Sequence, residues 1–175
     1  MRLAAAALPL AMLLAACSSR PPLDDPLPRS TAGRPAPPPS SPAPDQPLMR
    51  GDRDQIVMTA FAQVGKPYRY GGNGPDAFDC SGLVRYAYGA GGASTQRTTA
   101  SLFTSGRAID FDQAQPGDLL FYRLDTARSA PSHVVLYLGD GEGIHAPSSG
   151  KPIRAVNLTI PYFSQRYVGA RRLLE

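Results

Sequence analysis

Eleven prolines crowd into residues 20–48, a segment of 29 positions, and that segment decides where a folded domain can lie. Proline fixes φ and has no amide to donate, so such a density supports neither a helix interior nor a sheet ladder. With three arginines balanced by three aspartates, the segment is expected to be an extended tether. At about 3.1 Å per residue its full reach is roughly 90 Å. Folding is left to residues 50–175 of the 175-residue chain, long enough to bury a hydrophobic core without covalent staples. Two cysteines far apart and two histidines build neither a disulfide framework nor a zinc module, and no metal or cofactor is expected. The net charge is +4, and residues 49–175 hold 14 cations against 11 anions. The cations are scattered rather than clustered, so no nucleic-acid partner is expected.

The N-terminus reads as an address. Met1-Arg2 precedes an apolar stretch over residues 3–16 that Pro9 interrupts. It is too short for a span of about 20 residues and has the proportions of a secretory signal peptide. Leu14-Ala15-Ala16-Cys17 resembles the bacterial lipobox. The expected organisation is a signal peptide over residues 1–16, a lipidated Cys17 opening a tether over residues 17–49, and a domain over residues 50–175. Two or three acyl chains on Cys17 anchor a protein stably where one does not. Ser18 and Ser19 follow, with no Asp at the second position, so the expected location is the outer membrane, facing the periplasm.

Within the domain, residues 54–64 place Val57, Ala60, Phe61 and Val64 on one helical face, with Gly65 and Pro67 as the stop. Asp79 is placed to cap a helix from Cys80 to Tyr88, and Gly89 to end it. A short helix is expected over residues 98–104. The period then changes to two: Pro116-Gly117-Asp118 launches a strand over residues 119–122, and Asp140-Gly141 joins strands over residues 133–138 and 143–146. Further strands are expected over residues 153–156 and 167–173. Helices followed by an antiparallel sheet define an α+β class.

Cys80 is the one thiol of this domain. A helix start lowers a thiol pKa, because unpaired amides and the helix dipole favour the thiolate. His133 and His145 sit at the two ends of the expected hairpin, where two imidazoles can meet on one face. A nucleophile, a base and an orienting group are thereby available, as are the bland alternatives of a small buried cysteine and strand-end histidines.

Five blocks carry a resemblance: Val64-Gly65-Lys66-Pro67-Tyr68-Arg69-Tyr70-Gly71-Gly72, Asp79-Cys80-Ser81-Gly82-Leu83-Val84, Pro116-Gly117-Asp118-Leu119-Leu120-Phe121, Ser132-His133-Val134-Val135-Leu136-Tyr137-Leu138-Gly139 and Gly143-Ile144-His145-Ala146. In this order, over residues 55–173, they are similar to the NlpC-type family of bacterial cell-wall cysteine peptidases. The resemblance implies a papain-like α+β fold with Cys80 as nucleophile, His133 as general base, His145 as its orienting partner and Tyr68 as an oxyanion donor. It implies the peptide stems of peptidoglycan as substrate, cut next to meso-diaminopimelate by a monomeric enzyme without metal. The lipobox and tether resemble the layout of enteric murein endopeptidases, which points to cross-links as the target. The alternatives are the γ-D-glutamyl-diaminopimelate bond within a stem, and a wall-binding lipoprotein without activity. Asp79 is read as a cap and Asp118 as a turn former, and Arg69, Arg85 and Arg97 as candidate partners for a stem carboxylate. Two departures from the family pattern stand out: Thr95-Gln96-Arg97-Thr98 where Leu-Pro-Arg-Thr is common, and a bulky Val135. The loop over residues 124–131 is a candidate influence on substrate choice.

Overall fold

The computed structural model describes residues 49–175. The expected signal peptide, lipidated Cys17 and nearly all of the tether lie outside the described residues. Three helices come first: α1 (Arg53–Phe61), α2 (Cys80–Ala90) and α3 (Thr99–Phe103). Each opens on a side-chain cap, with Asp52, Asp79 and Thr98 accepting from the amides of Gln55, Gly82 and Ser101. Strand β1 (Arg107–Ile109), a 3₁₀ turn (Phe111–Gln113), β2 (Leu119–Tyr122), β3 (His133–Gly139), β4 (Glu142–His145) and β5 (Arg154–Asn157) follow. The one-turn helix α4 (Pro161–Ser164) and β6 (Tyr167–Arg172) complete the domain. Among the described residues no helix is long and apolar enough to cross a membrane.

The strands form one antiparallel sheet in the order β1-β6-β2-β3-β4-β5. Residues of β2 alternate between two apolar clusters, which is why all four are buried. Leu119 and Phe121, with Val134, Leu136 and Ile144, pack on Ile56, Ala60, Leu83, Val84 and Ala87 of α1 and α2. Leu120 and Tyr122 face the other way with Val135 and Tyr137, under Phe163 of α4. The β3–β4 connection is the two-residue Asp140-Gly141 turn, both residues at positive φ (52° and 75°), as a twist-matched hairpin requires. Val135 is accommodated by what stands beside it, since a Cβ on Gly143 would collide with the Val135 side chain.

Two helix expectations need correction. Helix α1 ends at Phe61 rather than at 64, and its buried residues are Ile56 and Ala60, while Phe61 and, past the helix end, Val64 are 55% and 45% exposed. The rotation is set from outside the helix: the Asp52 amide bonds to the Gly91 carbonyl at 2.9 Å. Gly91 also has no room for a Cβ beside Ile56. Helix α2 runs through Gly89 to Ala90 and is capped by Gly91. Neither β1 nor α4 was expected; β1 exists through its pairing with β6, and α4 through burial of Phe163 against Tyr122 and His145.

Asp118 does more than form a turn. Its carboxylate, 1% exposed, accepts from the Gln115 amide at 2.8 Å, from Arg53 Nη1 at 3.2 Å and from Arg172 Nη2 at 2.7 Å. Nearby, the Tyr88 hydroxyl donates to the Gly117 carbonyl at 2.6 Å. Residues from α1, α2 and β6 are thus fastened to the turn before β2. Removing the carboxylate leaves two guanidinium groups without their shared counter-charge. Asp118→Ala is expected to cost about 3 kcal/mol, read as a lower urea midpoint; a change under about 0.5 kcal/mol would mean the network is incidental.

Candidate active site

The site begins with the carboxylate of Asp79. Besides capping α2 through the Gly82 amide at 2.7 Å, it accepts from the Gly71 amide at 3.0 Å and the Ser81 hydroxyl at 3.2 Å. Arg97 grips both oxygens, Nη1 at 3.0 Å and Nη2 at 2.6 Å. The Asp79 amide itself donates to the Gly72 carbonyl at 3.0 Å, and a side chain on Gly82 would run into that carbonyl. The glycine pair, the cap and the arginine form one lock that holds Cys80 as the first residue of α2.

The Cys80 thiol lies 3.5 Å from the Thr99 hydroxyl, and the amides of Val134 and Ser81 also favour its thiolate. These contributions are outweighed. Burial pushes the Cys80 thiol up, and the Asp79 carboxylate adds to the rise. The expected lowering by the helix start is therefore corrected: low-dielectric surroundings disfavour the charged sulfur more than nearby donors favour it.

His133 and His145 meet at the start of β3 and the end of β4, Nε2 of the first 2.8 Å from Nδ1 of the second, with ring planes at 84°. Both are buried. Burial and then the neighbouring His145 push His133 down to about 3; burial and then the Arg154 charge push His145 down to about 4. Both rings are neutral at pH 7. Among the described residues no hydrogen bond joins Cys80 to His133, but the thiol reaches the amide of Val134, the next residue along β3.

Tyr68 is half-buried and shares with Cys80 a cavity of about 650 Å³, also lined by Tyr70, Arg97, Thr99, Arg128 and Ser132. Burial, then the proximity of Cys80 and Asp79, push its phenol up, so it keeps a proton to donate. Of the three arginines considered from sequence, only Arg97 lines this cavity, and its guanidinium is engaged by Asp79. Arg85 lines a different hollow, with Gly92 and Ser94. The cation on the cavity wall that sequence reasoning missed is Arg128, from loop 124–131, paired with Asp125 at 3.0 Å. Thr99 was missed as well. The Thr98 cap signalled α3, but nothing local signalled which side chain reaches the sulfur.

A model of the NlpC/P60 family matches residues 65–172. The chain is 33% identical over 121 residues to the γ-D-glutamyl-L-lysine dipeptidyl-peptidase of Bacillus cereus, covering 69% of this chain and 36% of that protein. It is 39% identical over 116 residues to the murein DD-endopeptidase MepH of Escherichia coli, covering 64% and 42%. The crystal structure of an NlpC/P60 family protein from Bacillus cereus superposes with a TM-score of 0.67 at 31% identity, covering 73% of this chain and 42% of that one. The chain thus spans less than half the length of these relatives.

Two measurements check the electrostatics. Alkylation of Cys80 by iodoacetamide is expected to accelerate with an inflection above the ordinary thiol value of about 8.5. Thr99→Val, which removes a contact that lowers the thiol pKa, should move the inflection higher; an inflection below 7 would overturn the neutral-thiol assignment. Unfolded imidazoles take up protons near 6.5, whereas the folded pair does so only near 3 and 4. The stabilisation is therefore full above 6.5 and is lost as pH falls towards the folded values. Each histidine should remove about 2 kcal/mol between pH 7 and pH 5, and His145→Gln should flatten that slope in thermal melts.

Proposed function

The chain belongs to the NlpC/P60 family, and from that premise we propose that it is a peptidoglycan endopeptidase. It cuts stem-peptide amide bonds next to diaminopimelate through the Cys80 thiol. One observation carries the reading: a cysteine at a helix start faces an open cavity, and its sulfur lies at the amide next to a buried, neutral, hydrogen-bonded histidine pair. A neutral thiol and a neutral imidazole favour proton transfer during attack over a preformed ion pair. With Nε2 of His133 engaged by His145, Nδ1 is the atom left to take the thiol proton. The sulfur adds to the carbonyl carbon, and the Cys80 amide and the Tyr68 hydroxyl donate to the oxyanion. The imidazolium returns its proton to the leaving amine, and water, deprotonated by His133, then resolves the thioester. His145 holds the ring of His133 in register for both transfers.

The cross-link between stems is the proposed bond. The murein DD-endopeptidase among the relatives supports that choice, whereas the γ-D-glutamyl-L-lysine dipeptidyl-peptidase supports cleavage within a stem. Residues 1–16 are proposed to direct export and Cys17 to carry the lipid that anchors the protein in the cell envelope, with the tether carrying residues 50–175 to the wall. Labelled palmitate should enter the wild-type chain and not Cys17→Ser.

Digestion of purified cross-linked dimers, followed by mass spectrometry, should yield monomers with intact stems. Truncated stems with released fragments would move the proposal to the γ-D-glutamyl bond. Cys80→Ala should abolish turnover, and His133→Ala should reduce it by about 10²–10⁴-fold, while His145→Gln, which keeps a polar partner, retains a measurable part. Activity should survive EDTA. Full activity of Cys80→Ala would overturn the thiol assignment, and absence of activity from the wild-type chain would leave only a wall-binding role.

A further inference from the structure

His145 also lines a second groove, of about 400 Å³, between β4–β5 and α4, whose lining does not include His133. Its walls include Ser148, Lys151, Arg154, Asn157 and Tyr162, and no Asp or Glu. Arg154 stands opposite His145 in the β4–β5 register, and both Lys151 and Arg154 are exposed. Among the described residues neither cation has an ion-pair or hydrogen-bond partner. At the head of the groove is His145 itself, 3% exposed, whose buried Nε2 has no hydrogen-bond partner among the described residues.

The mechanism proposed above determines what that atom is, so the inference rests on that reading. If His133 receives the thiol proton at Nδ1, its Nε2 carries a hydrogen and donates to His145 Nδ1. His145 is then protonated at Nε2, the atom directed away from His133. A buried N–H without an acceptor costs about 1–3 kcal/mol, and it is flanked here by two unpaired cations. We propose that this groove is an anion site: a carboxylate seated between Lys151 and Arg154 accepts the Nε2 hydrogen of His145 and fixes the tautomer of the histidine pair from behind. No covalent step is involved. The carboxylate can come from the free end of a stem peptide or from a free anion in the surroundings, and the shared chemistry is the same.

The test uses the full chain carrying Cys80→Ser, so that peptide is not turned over, labelled with nitrogen-15 at its two histidines. Sodium acetate is titrated against sodium chloride at constant ionic strength while the His145 Nε2 resonance is followed. A saturable shift with acetate, weakened at least fivefold in Lys151→Gln/Arg154→Gln, is the expected result. Both substituted residues lie on the surface, so folding is preserved. A stem tetrapeptide with a free C-terminal carboxylate is then compared with its C-terminal amide. A tighter shift for the acid assigns the site to substrate, and equal shifts assign it to free anions. No saturable shift with acetate, or one unchanged in the double variant, overturns the proposal. Because the readout is binding, its failure is separate from failure of the hydrolase reading, which shows only in digestion by the wild-type chain.

Discussion

Everything around the thiol depends on one carboxylate. Asp79 accepts hydrogen bonds from backbone on both sides of it and a two-point grip from Arg97, so the start of α2, the Gly71-Gly72 turn and the entry to α3 move as one piece. Charge-assisted bonds of this kind are roughly twice as strong as neutral ones, and side-chain caps contribute about 1 kcal/mol each. On the proposed mechanism the same group works against the chemistry it positions, because its charge helps to hold the Cys80 thiol protonated. Arg97 resolves part of the conflict: it neutralises the carboxylate locally while fixing it in place.

On the proposed mechanism, burial resolves the rest by changing the order of events. Two buried imidazoles in contact at the ends of β3 and β4, beside Phe163, cannot hold a resting positive charge cheaply, so their proton affinity drops. On the proposed mechanism, a thiol whose affinity for its proton is raised works with a base whose affinity is lowered. Charge separation is then disfavoured until a substrate carbonyl is in position to receive the sulfur. In that mechanism the backbone donors and a phenol that keeps its proton act at that moment rather than before it.

How much of this was legible in the sequence varies with how local the cause is. The strand over residues 119–122, the Asp140-Gly141 hairpin and the Asp79 cap are written in short-range chemistry, and all three stand where the residues placed them. The rotation of α1 was not legible, because a single glycine capping the end of α2, distant in sequence, sets it. Strand β1 and helix α4 were missed because each is shorter than the window in which periodicity can speak. At the site, residue types pointed to Cys80, His133 and His145. The contacts that tune them, Thr99 on the sulfur and Phe163 on the ring of His145, come from elements separated in sequence and carry no local mark.

The two departures from the family pattern show how substitutions are absorbed when the interaction beneath them is kept. In the run Thr95-Gln96-Arg97-Thr98, the residues that differ, Thr95 and Gln96, border a separate hollow with Met49 and Leu173, while Arg97 keeps its hold on Asp79 and Thr98 keeps its cap on α3. Val135 is fully buried, yet the extra bulk meets a glycine rather than a side chain, since Gly143 yields the space. In both places the sequence moves where packing leaves freedom. It stays where a charge or a backbone group would be left without a partner, and that is the part of the domain that holds the thiol at the start of α2 and the histidines at one end of β3 and β4.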